Sequence, residues 1–294
     1  KFMNCIEKIV FPKPPTYTAQ QSTFRPIELF NSKLNANIFI DVIEPPSQLE
    51  QLPYSFIFSH GNAENIQQIH SWLIDISKIL RSRIISYDYP GYGQTASKPT
   101  ESLCNDIVEQ IHDYVAETYK DTKIVSWGKS IGSAFAVNLA SKRDVHALII
   151  QSGLSSAVQT VCKSSFCACC DQFKNYQTLQ QIRCKILIIH GTDDEIVPYR
   201  CSVFNFENYN RVNHPGSQVQ EFYNTHNQNK VRQCENVMHV TIFGASHNDV
   251  DTAFEEVLVD ELRRFLGEEF ETISVKQKEV RSLKSGFLSR TEIL

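Results

Sequence analysis

A serine flanked by glycines is the first residue of the sequence whose setting could do chemistry. Ser130 is the centre of the pentapeptide GKSIG at 128–132, which follows the short, apolar and β-branched run KIVSW at 123–127. In the pattern G-x-S-x-G the serine occupies a tight turn between a strand and a helix, and the turn leaves no room for larger side chains beside it. The pattern predicts acyl transfer from Ser130. The alternative is that this segment is an ordinary turn in a parallel sheet. Residues elsewhere in the chain are needed to distinguish the two.

Two further residues have the types and positions that a serine nucleophile needs. A serine hydroxyl is a weak nucleophile near neutral pH, so it requires a histidine base and an acid that fixes the histidine tautomer. Asp194 follows the apolar run 186–189 in the segment HGTDDEIVP, and His247 follows the last apolar run in the segment GASHND. The order serine, acid, histidine is typical of enzymes with such a turn. We therefore expect Ser130 to be the nucleophile, Asp194 the acid and His247 the base, without any cofactor.

Asp193 is the alternative to Asp194 as the acid, because the two residues are adjacent in one loop. We favour Asp194 because it stands at the acid position of the pattern H-G-x-x-D-x-x-V-P, which is common in folds of this kind. Asp193 is then expected to form the turn.

Backbone donors for the transition state are expected from two loops. An oxyanion hole takes one N–H group from the residue after the nucleophile, here Ile131, and one from the loop after the third strand. That loop reads SHGNAE, and its donor is predicted to be Asn62. We expect His60 in the same loop to form structural hydrogen bonds. The string DYPGYG at 88–93 is expected to be a glycine turn in which Asp88 bonds to local backbone.

Apolar runs alternate along the chain between the strand and the helix pattern. Strand-helix repetition predicts a mostly parallel, doubly wound sheet with helices on both faces, and therefore an α/β fold with eight strands. The strands are predicted at 27–30, 36–43, 54–59, 83–87, 123–127, 146–151, 185–190 and 237–243, and helices at 65–80, 101–119, after the serine, and at 251–266. The first two strands are expected to form an antiparallel hairpin.

Four segments lie outside this alternation around one predicted domain at 25–267. Residues 1–24 are rich in proline and are predicted to form an extended arm. Residues 154–182 follow a strand at the ligand-binding edge of the sheet and are a candidate lid. Residues 204–235 are rich in Asn, Gln and His with little apolar periodicity, which predicts a polar surface insertion, and residues 268–294 form a polar, aperiodic tail.

Composition excludes several classes of protein. A net charge of −4 gives no electrostatic basis for binding nucleic acid. The longest apolar runs are far too short to cross a bilayer, and no leader-like segment opens the sequence. The nine cysteines accompany no N-x-S/T sequon, which predicts free thiols and a cytoplasmic protein. Four of them cluster at 162–170, but no second ligand pair follows, so we expect packing there and no metal site.

Five motifs together resemble one family. FSHGNAEN, SYDYPGYGQT, WGKSIGSA, IHGTDDEIV and GASHNDV, in this order and spacing, resemble the α/β-hydrolase-domain-containing protein 17 family, whose members are membrane-associated serine hydrolases that remove palmitate from protein cysteines. The resemblance covers roughly 11–266. It implies the α/β-hydrolase fold, a thioesterase that uses Ser130, Asp194 and His247, an S-acylated protein as substrate, and contact with the periphery of a membrane.

Related proteins with similar motifs cleave glycerolipid esters, so an acyl lipid is the alternative substrate. Leu154, Val158 and Phe166 of the candidate lid are expected either to shelter the acyl chain or to pack on the core. The sequence departs from the family at Lys129, where an uncharged polar residue is usual, and in its amino terminus, where only Cys5 remains of a cysteine-rich, lipidated segment. Lys129 is expected either to perturb the base or to point to solvent.

Two functional hypotheses follow from the sequence. The first is an active acyl-thioesterase or esterase, because all three reactive residues are present. The second is a hydrolase fold that serves as an interaction component of a larger assembly through the segment 204–235 and the tail. These additions exceed what a minimal esterase needs.

Overall fold

A ten-stranded sheet forms the centre of the part of the chain that this computed structural model describes, namely residue 11 and residues 24–161, 171–224 and 229–267. Its strands are β1 (Ile27–Asn31), β2 (Ala36–Ile43), β3 (Tyr54–Ser59), β4 (Arg83–Tyr87), β5 (Lys123–Lys129), β6 (Ala147–Gln151), β7 (Lys185–Gly191), β8 (Gln220–Tyr223), β9 (Lys230–Cys234) and β10 (Val237–Ile242). Their order across the sheet is β1-β2-β4-β3-β5-β6-β7-β10-β9-β8.

The six central strands are parallel, namely β4, β3, β5, β6, β7 and β10. An antiparallel pair of strands extends the sheet at each edge, β1 with β2 at one and β9 with β8 at the other. The predicted hairpin is present as β1 and β2. All eight predicted strands are found, and the α/β-hydrolase type of fold is confirmed. The two additional strands, β8 and β9, come from the segment that was predicted to be an insertion.

Helices cover both faces of the sheet. They are α1 (Ile66–Leu80), α2 (Glu101–Thr118), α3 (Gly132–Lys142), α4 (Ala157–Val161), α5 (Asn175–Thr178), α6 (Arg200–Asn213) and α7 (Glu255–Leu266). Successive side chains of a strand point to opposite faces, so Phe56 and Phe58 of β3 belong to the apolar cluster of α1 and α7, whereas Ile57 belongs to the cluster of α2 and α3. No helix in the described ranges combines the length and the apolar character that crossing a bilayer would require.

The segment 204–235 is only in part the surface insertion that its composition predicted, since residues 215–223 are exposed but other parts of it join the fold. Most of α6 lies in it, and two of its buried asparagine side chains bond to backbone of other loops. Asn205 Nδ2 donates to the carbonyl of Leu154 (3.1 Å) and Asn208 Nδ2 donates to that of Tyr176 (2.8 Å). The polar composition thus reflects buried hydrogen bonds in α6, and solvent exposure at 215–223. Residues 230–234 then pair with β10, and 220–223 pair with 230–233.

Several predicted segments fall partly or wholly outside the described residues. These are most of the arm at 1–24, the tail at 268–294, residues 162–170 of the candidate lid with Phe166 and the four clustered cysteines, and the short stretch 225–228. Within the arm, Phe11 is buried and its ring contacts the rings of Tyr92 and Phe173 edge to face.

The parallel strands bring four loops to one edge of the sheet. Ser59 at the end of β3 is in register with Gly128 of β5, and Gly191 at the end of β7 is in register with Ile242 of β10. Because the carboxyl ends of parallel strands meet at the same edge, the loops after β3, β5, β7 and β10 lie together there. These loops carry all of the residues expected to act in chemistry.

Candidate active site

The turn between β5 and α3 has the strained geometry that its sequence predicted. Ser130 has a φ of +54°, in the left-handed region that costs a non-glycine residue free energy. A Cβ atom on Gly132 would overlap the carbonyl oxygen of Ser59, and one on Gly128 would overlap the backbone of Gly132. Glycine at both positions therefore lets α3 begin directly behind Ser130 and in contact with the end of β3.

A chain of hydrogen bonds joins the three residues that were expected to react. Ser130 Oγ lies 3.0 Å from His247 Nε2, and His247 Nδ1 lies 2.7 Å from Asp194 Oδ2. The serine is only 6% exposed, and the other two residues are similarly buried. Asp193, the alternative acid, does not take this place, since its carboxylate accepts from the hydroxyl of Thr192. The arrangement is that of a serine nucleophile, a base and an orienting acid.

Asp194 is held from several sides. Its Oδ1 accepts from the backbone N–H groups of Ile196 (3.0 Å) and Val197 (2.7 Å), while Oδ2 faces both His247 and His190. Burial disfavours the charged carboxylate, but the bonds from the two histidines outweigh burial and hold the pKa of Asp194 well below its ordinary value. The acid therefore stays charged at any pH at which the protein would work.

His190 is a site residue that the sequence argument did not single out. Its Nε2 lies 2.8 Å from the carbonyl oxygen of Val197 and 3.1 Å from Asp194 Oδ2, and both of these oxygens are acceptors. Nε2 must therefore carry the proton. The signal was available, because His190 opens the same H-G pattern that identified the acid.

The loop after β3 lies against the turn that carries the nucleophile. Gly132 packs on the carbonyl groups of Ser59 and His60 at the start of this loop. Ile131 is the first residue of helical conformation after Ser130, at the start of α3, where N–H groups have no acceptor within the helix. Asn62 and Ile131 thus lie on the two loops expected to supply an oxyanion hole.

Tyrosines of the string at 88–93 hold the loop after β3 in place. Tyr92 donates from its hydroxyl to Asn62 Oδ1 (2.7 Å), and Tyr89 donates to the carbonyl of His60 (2.6 Å). The string is therefore more than the glycine turn that was predicted. Asp88 also contacts a more distant segment, because its Oδ1 accepts from the N–H of Ile66, at the start of α1.

His60 has the structural environment that was expected of it. The residue is completely buried, its Nδ1 donates to the carbonyl of Gly61 (2.8 Å), and its ring is 4.2 Å from that of Tyr89. Burial lowers the pKa of His60 to about 4. The imidazole is therefore neutral at physiological pH.

Lys129 does not point to solvent. The residue is 5% exposed, and its Nζ lies 2.8 Å from Glu64 Oε1 and 2.7 Å from Asp251 Oδ2. Burial disfavours the ammonium, but the two carboxylates outweigh burial and raise the pKa of Lys129. The cation beside the nucleophile is therefore enclosed in an ion cluster.

The two candidate lid residues that the structure describes are buried. Leu154 belongs to the same apolar cluster as Ile131 and Val197, and Val158 is also buried. Phe166 lies outside the described residues. In the described ranges, no set of three or more His, Cys, Asp or Glu side chains is arranged to hold a metal ion.

Comparison with known proteins agrees with this architecture. Residues 54–161 match the model of the alpha/beta hydrolase fold family. The chain is 31% identical over 225 residues to alpha/beta hydrolase domain-containing protein aho-3 of Caenorhabditis elegans, covering 76% of this chain and 60% of that protein. It is 28% identical over 221 residues to alpha/beta hydrolase domain-containing protein 17B of Homo sapiens, covering 74% of this chain and 67% of that protein.

Solved structures show the same fold at low sequence identity. Esterase Pf2001 of Pyrococcus furiosus superposes with a TM-score of 0.63 at 15% identity, covering 87% of this chain and 97% of the esterase. An alpha-beta serine hydrolase homologue from Coxiella burnetii gives a TM-score of 0.57 at 16% identity, covering 84% and 99%. The chain therefore has the α/β-hydrolase fold, and its sequence is similar to those of aho-3 and alpha/beta hydrolase domain-containing protein 17B, of which it spans about three fifths to two thirds.

Proposed function

We propose that this chain is a serine hydrolase that cleaves acyl thioesters or esters through an acyl-enzyme on Ser130. The observation that supports the proposal most directly is the linked pair of hydrogen bonds from Ser130 Oγ to His247 and from His247 to Asp194. Ser130 and His247 are 117 positions apart in the sequence, and Asp194 and His247 are 53 positions apart. Such a constellation has a known chemical use, whereas the fold alone specifies none.

The reaction follows from these contacts. His247 Nε2 takes the proton of Ser130 as Oγ attacks the acyl carbonyl carbon, and the charged Asp194 stabilises the imidazolium that forms. Backbone N–H groups of Ile131 and Asn62 bind the oxyanion of the tetrahedral intermediate. His247 then returns the proton to the departing thiol or alcohol. Water, activated by the same histidine, releases the fatty acid and regenerates the serine.

S-acylated protein is the proposed substrate class, with palmitate as the acyl group. The motif resemblance favours it over an acyl lipid, whereas apolar side chains around the site suit the acyl chain of either substrate. Ile131 follows the nucleophile and packs in one cluster with Leu154 and Val197. Ile196, two residues after the acid, is 57% exposed and offers apolar surface beside the site. A long acyl chain gains free energy from such surface, at about 0.8 kcal/mol for each buried methylene group.

Labelling with a fluorophosphonate probe tests the proposal. We expect the wild-type protein to be labelled and Ser130→Ala to be unlabelled, because the probe reacts with an activated serine. Ser141→Ala is the matched control, since Ser141 lies on α3 and bonds only to local backbone. Equal labelling of wild type and Ser130→Ala would contradict the proposal.

The substrate class requires a second measurement. We expect hydrolysis of a palmitoyl-thioester peptide to exceed hydrolysis of a monoacylglycerol by at least about tenfold in kcat/KM, which corresponds to about 1.4 kcal/mol. The reverse preference would make the chain a lipid esterase. Loss of either activity in His247→Ala is the control for chemistry at the same site.

A further inference from the structure

Three loops that carry the reacting groups meet at one buried ammonium. Lys129 is the last residue of β5 and precedes the nucleophile. Glu64 lies in the loop between β3 and α1, two residues after Asn62, and Asp251 lies in the loop between β10 and α7, four residues after His247. Lys129 Nζ contacts both carboxylates at 2.8 and 2.7 Å.

Glu64 also forms a hydrogen bond with the backbone of its own loop. Its Oε2 accepts from the N–H of Gly61 at 2.9 Å, while its Oε1 accepts from Lys129. One carboxylate therefore holds both the ammonium and the peptide group between His60 and Gly61, next to Asn62. A change in the position of Glu64 would move this peptide relative to Ser130.

We infer that Lys129 is a positioning residue, which fixes the loops of Asn62 and His247 relative to Ser130 through Glu64 and Asp251. The inference rests on the proposed function. Lys129 Nζ is engaged by Glu64 and Asp251, so its effect is on where the oxyanion donors and the base lie. Displacements of about 1 Å in such groups can lower the rate about 100-fold.

The alternative role for a buried ion cluster is stability alone. A lysine that only stabilised the fold would change the fraction of folded protein and leave the kcat of the folded molecules unchanged. A positioning lysine changes kcat while KM stays nearly constant, because the donors act mainly in the transition state. Amide hydrogen exchange gives an independent readout of both loops.

The experiment compares the wild type with Lys129→Gln and with Glu64→Gln, which keeps the acceptor for Gly61 and serves if the first variant does not fold. The control is Lys78→Gln, because Lys78 is exposed and pairs with Asp75 within α1. Esterase kinetics, normalised to probe-reactive serine, are measured together with hydrogen exchange of the peptides covering 60–64 and 248–252. For Lys129→Gln we expect kcat to fall about 10- to 100-fold, KM to stay within about twofold, and exchange to accelerate in both peptides. For Glu64→Gln, which leaves the contact between Lys129 and Asp251 in place, we expect a smaller fall in kcat and faster exchange in the 60–64 peptide only.

Each other outcome overturns the inference. Unchanged kcat with faster exchange would make the cluster purely stabilising, and reduced kcat with unchanged exchange would mean that Lys129 acts through its charge. The double variant Lys129→Gln, Asp251→Asn restores the net charge of the cluster without the bridge, so full recovery of kcat in it would also overturn the inference. If the wild type itself has no Ser130-dependent activity, the proposed function fails, and exchange alone decides whether Lys129 holds the two loops.

Discussion

At the scale of single residues, chemistry depends on groups whose protonation the fold fixes. The carboxylate of Asp194 is kept charged by two histidines, His190 is held as its Nε2–H form, and His60 is kept neutral by burial. The H-G patterns in the sequence mark both of these supporting histidines. Their hydrogen-bond partners could not be predicted from the sequence, because the partners are backbone carbonyls and a carboxylate whose positions depend on the conformation of the loops.

His60 gives a prediction about the pH dependence of stability. Its pKa is about 4 in the folded protein, below the ordinary value of 6.5. The unfolded chain therefore binds more protons between these values, so the contribution of His60 to stability is complete above about pH 6.5 and is lost as the pH falls towards 4. The shift corresponds to about 3 kcal/mol of unfolding free energy over this window.

Urea unfolding of wild type and His60→Asn at several pH values measures this contribution. We expect the wild type to lose stability more steeply than the variant between pH 6.5 and 4, because the variant has no proton to bind there. Parallel curves for the two proteins over this range would contradict the assignment.

At the scale of elements, the sequence predicted where strands and helices lie but misjudged one segment. Alternation of apolar residues and apolar runs of strand length identified all eight predicted strands, and the side chains of the central strands are buried. The asparagines of α6 gave the opposite impression, since composition alone cannot show that an amide is buried against a carbonyl. Asn205 and Asn208 are buried on one side of this helix and donate to backbone carbonyl groups.

Asn205→Ala tests the structural role of α6. The side chain is fully buried, and its amide donates to the carbonyl of Leu154, so truncation removes a buried hydrogen bond and leaves a small cavity. We expect a loss of about 1–3 kcal/mol in unfolding free energy, measured by urea denaturation. Glu207→Ala on the exposed side of the same helix is the control, and it should change stability by less than about 0.5 kcal/mol. Equal effects of the two substitutions would contradict a buried role for α6.

At the scale of the whole molecule, the sheet joins distant parts of the chain into one unit. Cys104 of α2 and Cys234 of β9 are both buried free thiols, and they belong to different apolar clusters. The strand that carries Cys234 pairs with β10, which in turn pairs with β7. We therefore expect the segment 220–234 to unfold together with the rest of the domain rather than by itself.

Alkylation with iodoacetamide in increasing urea, read by mass spectrometry, tests this cooperativity. Buried thiols react only when they become exposed, so Cys104 and Cys234 should be modified with the same urea midpoint. A clearly lower midpoint for Cys234 would show that the β8–β9 pair is a separate, weaker unit.

The sequence by itself determined the three candidate reacting residues and the order of most of the elements. Ser130, Asp194 and His247 were identified because each stands in a local pattern, and local patterns depend only on neighbours along the chain. The tertiary structure decided the environment of Lys129, because its two carboxylate partners are 65 and 122 residues away in the sequence. No periodicity links such positions. Only the meeting of the parallel strand ends at one edge of the sheet brings them within hydrogen-bond distance.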